Sequence, residues 1–382
     1  MKPSPPLWLL IGLMIFPQLV ETLYSPALPA IAARYAVSEA QAAQTLSIYF
    51  SAFTIGVALW GWLSDRIGRR PAMLLGLACY GSGAALALIA PDFHWLLLAR
   101  ALAAFGAAAG SVVTQTILRD SCDASRLAHV FALMGMALAI SPALGLLSGG
   151  ALLLSAGLDG VFMALAGLAL LLLGLAWRWL PETRPASRQA TPLGPLAARM
   201  LRDSRLWRDA ALVALFNTML FSYYSLAPFV FDAIGLSSQG YGLSGIALAA
   251  AALAGAWANR RLLAKGRQPA ALIRQACALA LLGSLGVWVC GGSAWLLLPM
   301  AGIVIAYGIA IPNVLSLALQ RYREALGSAG ALFGLSYYLL LALGLALSGL
   351  SQNLACSLLF CSALTLPLCT APAPKPLKTE AI

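Results

Sequence analysis

Apolar runs of about twenty residues or more, each long enough to cross a bilayer's hydrocarbon, follow one another through this chain almost without pause. Hydrocarbon offers no water to backbone N–H and C=O groups, so a spanning segment must be a helix or a strand of a closed barrel. Barrel strands read as short alternating segments, and the sequence has none. Charged residues are 10% of the 382, against roughly a quarter in soluble domains. The chain therefore reads as an all-α, multi-pass membrane protein. Charged, Gly and Pro breaks divide it into twelve helices, at 7–33, 40–63, 72–90, 95–118, 127–154, 161–180, 209–232, 243–262, 270–291, 295–319, 329–350 and 354–371. The first run is about twice a signal-peptide core and contains Pro17, Glu21 and Pro26, so it reads as a retained helix.

Charge tests that division. Alternate connections hold Arg66, Arg69 and Arg70; Arg119 and Arg126; Arg184 through Arg208; Arg260, Arg261, Lys265 and Arg267; Arg321 and Arg323. The tails add Lys2, Lys375 and Lys378, while the opposite connections hold little beyond Arg34. Lys and Arg resist translocation, so the basic side is the cytoplasmic one and both termini are expected there. The net charge of +11 is then an orientation signal, and a nucleic-acid partner is not expected. The longest polar stretch, PETRPASRQATPLGPLAARMLRDSRLWRD, carries six arginines. It separates a six-helix half at 1–180 from another at 209–371, with a linker at 181–208 and a tail at 372–382. An amphipathic piece around Leu196–Leu206 is expected to lie on the inner membrane surface.

The residue types exclude several chemistries. Seven cysteines sit mostly inside apolar runs with no CxxC spacing, and His94 and His129 are far apart, so no metal or cofactor is expected. A phosphate-binding Walker loop, a Gly-x-Ser-x-Gly elbow and a His-Glu-x-x-His pair are all missing. The chain does not read as an enzyme or as an ATP-driven pump by itself.

Between the second and third runs stands GWLSDRIGRRP, Gly61 to Pro71. As a tight turn it needs Gly68 to reverse the chain, Arg69 and Arg70 to hold the inner face, and Pro71 to start the next helix. Asp65 is placed to cap or to pair with an arginine. A plain basic turn needs only the arginines; the full order resembles the signature loop of the major facilitator superfamily. Gly255-Ala-Trp-Ala-Asn259-Arg260 has the same Gly-to-polar-to-Arg spacing in the second half, as expected of parallel repeats. Ser141-Pro142-Ala143-Leu144-Gly145, followed by Gly149-Gly150, resembles the Gly/Pro-rich motif of the family's exporters. It lacks the usual glycine before the proline. Leu98-Ala99-Arg100 and Pro181-Glu182-Thr183-Arg184 resemble two further exporter motifs. The resemblance covers nearly the whole chain and is nearest the twelve-helix drug/proton antiporters of the Bcr/CflA group. It implies a major facilitator fold in two six-helix halves, a monomer, and a bacterial inner membrane. Gly61, Asp65, Arg66, Gly68, Arg69, Arg70 and Arg119 would then form a cytoplasmic gate, with Arg119 a partner for Asp65.

Glu21 is the residue that needs explaining. No charge stands between Lys2 and Glu21, or between Glu21 and Arg34. A buried ionised side chain there costs about 3 kcal/mol on insertion scales, unless it is neutralised or paired. Arg100 is the basic candidate inside the membrane. The expectation is that Glu21, with Arg100, couples proton movement to transport, against the plainer reading of a structural carboxylate. The run Glu21-Thr22-Leu23-Tyr24-Ser25-Pro26-Ala27 matches the Bcr/CflA group locally, although many relatives have aspartate where Thr22 stands and some have glutamine where Glu21 stands. Gln18 and Tyr24 share Glu21's helix face. With Tyr49, Phe53, Arg100, Gln115, Asn217, Phe221, Tyr224, Tyr307, Asn313 and Tyr337 they make the candidate substrate-binding set. An apolar pocket with aromatic walls and few polar groups suits bulky amphipathic molecules.

The function expected is proton-coupled export of small amphipathic or cationic compounds by alternating access. The alternatives are a dedicated exporter of one metabolite such as a siderophore or nucleoside, a proton-coupled uptake symporter, and a membrane sensor that binds without transporting. The expected partners are a small-molecule substrate, protons and the lipid bilayer.

Overall fold

The computed structural model describes residues 5–121, 124–184, 193–318 and 320–370. Cys122, the linker stretch 185–192 and the tails bearing Lys2, Lys375 and Lys378 lie outside the described residues, as do the side chains of Arg126, His129 and Arg323. Among the described residues the secondary structure is helical throughout. The helices are α1 (Leu7–Tyr24), α2 (Leu28–Tyr35), α3 (Glu39–Ile67), α4 (Arg69–Leu88), α5 (Phe93–Ser121), α6 (Ala124–Trp179), α7 (Leu193–Leu201), α8 (Ser204–Ala233), α9 (Ser238–Ala264), α10 (Pro269–Cys290), α11 (Leu297–Ala318), α12 (Leu326–Ser351) and α13 (Leu354–Thr370).

Ten described segments are long and apolar enough to cross a membrane, and α13 is a shorter apolar helix. Taken as one rod, the 47-residue segment Leu133–Trp179 would be about 70 Å long, more than twice the hydrocarbon thickness. Gly157, with φ 65° and ψ −165°, breaks it inside the stretch 155–160 where the sequence places a connection. Large apolar side chains point outward, as lipid requires: Val289 is 80% exposed and Leu170 68%.

Local chemistry sets the ends. Ser38 and Gln41 form a capping box at α3. The Asp92 carboxylate accepts from the N–H groups of His94 and Trp95 at the start of α5. Asp203 caps α8, accepting from Arg205 and Leu206. That cap corrects the amphipathic expectation: the linker helix α7 stops at Leu201, and Leu206 belongs to α8. The first run also differs from a simple rod. It passes from α1 through a 3-10 turn, Ser25–Ala27, into α2, because Pro26 has no N–H to continue an α ladder.

In the first group of helices, α5 packs against α1, α3 and α4, and α6 against α1 and α4. In the second, α11 packs against α8, α9 and α10, while α8 and α10 both pack against α13 and α8 also meets α12. The two groups meet where α6 packs on α9 and α3 on α12. Close glycine contacts recur between the groups. A Cβ on Gly83 would stand 2.7 Å from the Ala99 carbonyl, and one on Gly283 2.8 Å from the Pro299 carbonyl. A Cβ on Gly56 would stand 2.6 Å from the Phe105 carbonyl, and one on Gly255 2.6 Å from that of Ile305. This register matches Gly255 to Gly56 rather than to Gly61. Asn259 therefore lies level with Trp60, more than a turn deeper than the expected match to Asp65. Backbone approach, which tolerates no side chain, marks the repeat better than the charges do.

Contacts between the groups gather toward the end remote from the Gly61–Pro71 loop. Ser25 meets Tyr241, Phe50 meets Phe221 at 4.5 Å between centroids, and Phe53 meets Tyr338 at 5.3 Å. Gly150 faces the Ser238 backbone there too.

Candidate functional site

Pro17 and Pro26 flank the stretch of α1 that carries Glu21, and α6 presses against its backbone. A Cβ on Gly145 would stand 2.8 Å from the Leu19 carbonyl and 2.9 Å from the Leu23 nitrogen; one on Gly149 would stand 3.1 Å from the Leu23 Cα. The glycines of the motif that includes Pro142 thus hold the turn on which Glu21 sits. Gln18 accepts a hydrogen bond from Ser141 of the same motif at 3.1 Å. The Glu21 side chain is 2% exposed, and its Oε1 has no hydrogen-bond partner among the described residues. Arg100, Tyr49, Tyr224, Tyr241 and Tyr338 lie within its electrostatic reach. Groups of α3, α5, α8, α9 and α12 thus lie near a carboxyl of α1.

Arg100 is buried on α5. Among the described residues no ion pair joins it to Glu21. Its guanidinium instead lies 3.8 Å from the Tyr24 ring centroid and 4.6 Å from that of Tyr49. Desolvated contacts of this kind are worth about 2 kcal/mol, which lets the cation stay buried without a carboxylate against it. Its Nε and Nη2 have no partner among the described residues. Tyr49 is fixed by donating to the Pro17 carbonyl at 3.1 Å, so rings and guanidinium form one packed unit behind Glu21.

Aromatic side chains close the junction. Tyr49 and Phe53 stack at 6.2 Å, Phe221 meets Tyr224 at 5.6 Å, and Tyr337 meets Tyr338 at 4.4 Å. Asn217 accepts from the Tyr307 hydroxyl at 3.2 Å, a polar pair between α8 and α11. The remaining candidates stand apart. Asn313 is buried and donates to Asn259 at 2.6 Å and to the Ile309 carbonyl at 2.7 Å, so its amide tightens the α9–α11 contact. Gln115 is half-buried on α5, about four turns beyond Arg100 toward the Gly61–Pro71 loop.

That loop is a built ion network. Gly68 has φ 106°, a region glycine tolerates. Arg69 is 1% exposed. It reaches Asp120 at 2.8 Å, Asp65 at 2.7 Å and the Ser64 carbonyl at 2.7 Å. Arg66 lies over Trp62 at 4.1 Å, and Arg119 is exposed near the end of α5. Glu182 then clasps the start of α4: its Oε1 accepts from Arg69 N at 2.9 Å and Arg184 N at 2.8 Å, and its Oε2 from Arg70 N at 3.1 Å. Partial burial pushes this carboxyl up, but the backbone N–H groups outweigh it and hold the carboxyl below the ordinary value. Arg70 donates to the Trp177 carbonyl at 2.7 Å, and Arg184 to that of Arg66 at 2.7 Å.

Sequence reasoning missed Asp120 as the buried partner of Arg69 and Glu182 as the acceptor at the helix start. For Glu182 a signal exists, since α4 begins with Arg69 and Arg70, whose backbone N–H groups at a helix start need an anion. It missed Tyr338 and Tyr241 as well, because nothing in one sequence says which tyrosine faces inward.

Comparison with known proteins agrees with this architecture. The family model described as Major Facilitator Superfamily matches residues 10–345. An uncharacterized transporter of Rickettsia felis is 30% identical over 353 residues, covering 88% of this chain and 87% of the relative. Multidrug resistance protein D of Escherichia coli K12 is 27% identical over 336 residues, covering 86% and 84%. A solved bacterial homologue of the lysosomal transporter Spinster, in an inward-facing and unoccupied conformation, superposes with a TM-score of 0.72 at 16% identity, covering 96% and 95%.

Proposed function

Because this chain belongs to the Major Facilitator Superfamily, we propose that it is a proton-coupled exporter of small amphipathic or cationic compounds, with Glu21 as the site that protons and substrate contest. The observation that carries the reading is the carboxyl itself, 2% exposed and with Oε1 unbonded among the described residues, near groups from both helix groups. A carboxyl so placed gains substrate and loses a proton in one exchange. Arg100 supplies a positive charge near the carboxyl without being locked to it.

Twelve helices, in a first half of six and a second half of six joined by the linker, account for the two packing groups. The basic loops support a reading with the Gly61–Pro71 network and both termini on the cytoplasmic side of the inner membrane. On that orientation the closed end is the outer one and the structure is inward-facing. The Arg69 network is then the inner latch, tightened as the two halves rock to open outward. Tyr49, Phe53, Phe221 and Tyr224 supply ring faces for an amphipathic cation. Relatives with multidrug resistance names favour export over uptake, and a monomer carries all the groups the reading uses.

The test is uptake of a lipophilic cation into inside-out vesicles under an imposed pH gradient, acid inside. Accumulation that collapses with the gradient supports proton-driven export; accumulation that ignores it refutes the coupling.

A further inference from the structure

One turn beyond Glu21, about 6 Å along the helix axis, the fold has an unusual join. The carbonyl of Tyr224 lies four residues before Pro228, which sits inside α8. Proline has no N–H, so that carbonyl has no partner in its own helix. The hydroxyl of Ser25, fully buried, donates to it. Ser25 opens the 3-10 turn before which α1 ends, with Pro26 next to it. Two proline-interrupted helices, one from each group, are thus joined by a single hydroxyl at the outer end. On its other side the Ser25 oxygen lies 2.8 Å from the Tyr241 hydroxyl. Beyond Tyr241 a narrow cavity begins, lined by Pro26, Pro29, Pro228, Phe231 and Asp232.

The direction of these bonds has a chemical consequence. Ser25 has one hydrogen, and a carbonyl can only accept, so that hydrogen points at Tyr224. The Tyr241 hydroxyl must then donate to Ser25. A proton hopping inward from the cavity along Tyr241 and Ser25 arrives at a main-chain carbonyl that has no proton to pass on. We propose that Ser25 is a positioning residue that seals the closed outer gate against protons, so that Glu21 exchanges protons with one side of the membrane at a time. The inference rests on the proton-coupled reading of Glu21. It adds what that reading requires, since a gate closed to a bulky substrate but open to protons would dissipate the gradient.

The test uses the full chain in proteoliposomes with an internal pH dye, an imposed pH step and no substrate. Ser25→Ala and Ser25→Cys are expected to raise the protein-dependent proton leak at least about tenfold, the equivalent of 1.4 kcal/mol off the barrier. The thiol fills about the same space but is a much weaker donor to the carbonyl, so its leak reports the weakened bond rather than a hole. Tyr241→Phe keeps the Ser25 bond to the carbonyl and is expected to stay as tight as wild type. Substrate exchange at equal pH on both sides is expected to be unchanged in the two Ser25 variants. Wild-type tightness in both Ser25 variants overturns the proposal, as does a leak in Tyr241→Phe equal to theirs. Exchange lost without any leak also overturns it, leaving Ser25 a packing residue. Wild-type transport without dependence on the pH gradient refutes the coupled reading instead, whatever the leak.

Discussion

Adding one methyl group to α6 separates packing that serves the site from packing that does not. Gly145 and Gly174 lie in α6 on either side of the break at Gly157, and alanine is the better helix former at both by about 1 kcal/mol. At Gly174 a Cβ meets nothing within 4 Å, so Gly174→Ala is expected to be neutral or stabilising. At Gly145 it meets the Leu19 carbonyl at 2.8 Å and the Leu23 nitrogen at 2.9 Å. Comfortable carbon contacts begin near 3.5 Å, a shortfall of about 0.6 Å. The nearest neighbour is the Thr22 hydroxyl, which can turn away, but Leu19 and Leu23 meet the Cβ with backbone, so a rotamer change alone does not relieve the clash and α1 must retreat where it carries Glu21. Overpacking of this kind costs about 1–3 kcal/mol, and misplacing a reacting group by an ångström costs up to about a hundredfold in rate. The assay is a pair of measurements on each variant: thermal unfolding followed by tryptophan fluorescence, and gradient-driven transport in proteoliposomes. Gly145→Ala is expected to melt lower and to lose at least about tenfold in transport, while Gly174→Ala matches or exceeds wild type in both. Equal tolerance of the two substitutions would refute the claim that α6 positions Glu21.

The Arg69 network, the Glu182 clasp and the rings around Arg100 make further predictions. Arg69→Met removes a buried cation and leaves the Asp120 carboxylate unpaired, a loss of about 3–5 kcal/mol; adding Asp120→Asn is expected to recover part of the melting temperature, and strict additivity would argue against the pair. Glu182 has its carboxyl held below 4.5, so its contribution is fully present above the unfolded value and disappears as pH falls through the folded one. The melting-temperature advantage of wild type over Glu182→Gln should therefore persist down to pH 4.5 and vanish on further acidification; an advantage that vanishes nearer neutrality would contradict the clasp. Arg100→Lys keeps the charge but gives up the flat guanidinium between Tyr24 and Tyr49, so transport is expected to fall without recovery at any pH, and a fully active lysine variant would remove the ring contacts from the account.

The helical class, the positions of the apolar runs and the signature loop were legible because lipid leaves a chain few choices. Long apolar runs must be helices, and the ends fall at Ser38, Asp92 and Gly157, where capping and backbone chemistry are local. Glu21 was legible for the same reason: a lone carboxylate in an apolar run is costly enough to stand out. What could not be read was partnership. Arg100 looks like an ion-pair partner in sequence, yet in space it rests on two tyrosine rings. Asn313 looks like a binding residue, yet its amide is spent on Asn259. Asn259 itself misleads, because its spacing from Gly255 imitates Asp65 while the close contact of Gly255 with Ile305 puts it at the level of Trp60. In each case the deciding fact is which neighbour arrives from a distant helix, and helical periodicity carries no trace of it.

The central claim is that Glu21 carries the proton that substrate displaces. Purified protein in weakly buffered detergent solution is mixed with a lipophilic cation, and released protons are counted for wild type beside Glu21→Gln, with binding of the cation followed in parallel. The account predicts release on binding in the wild type and none in the variant. Equal release from both, or binding by the wild type without any release, would contradict it.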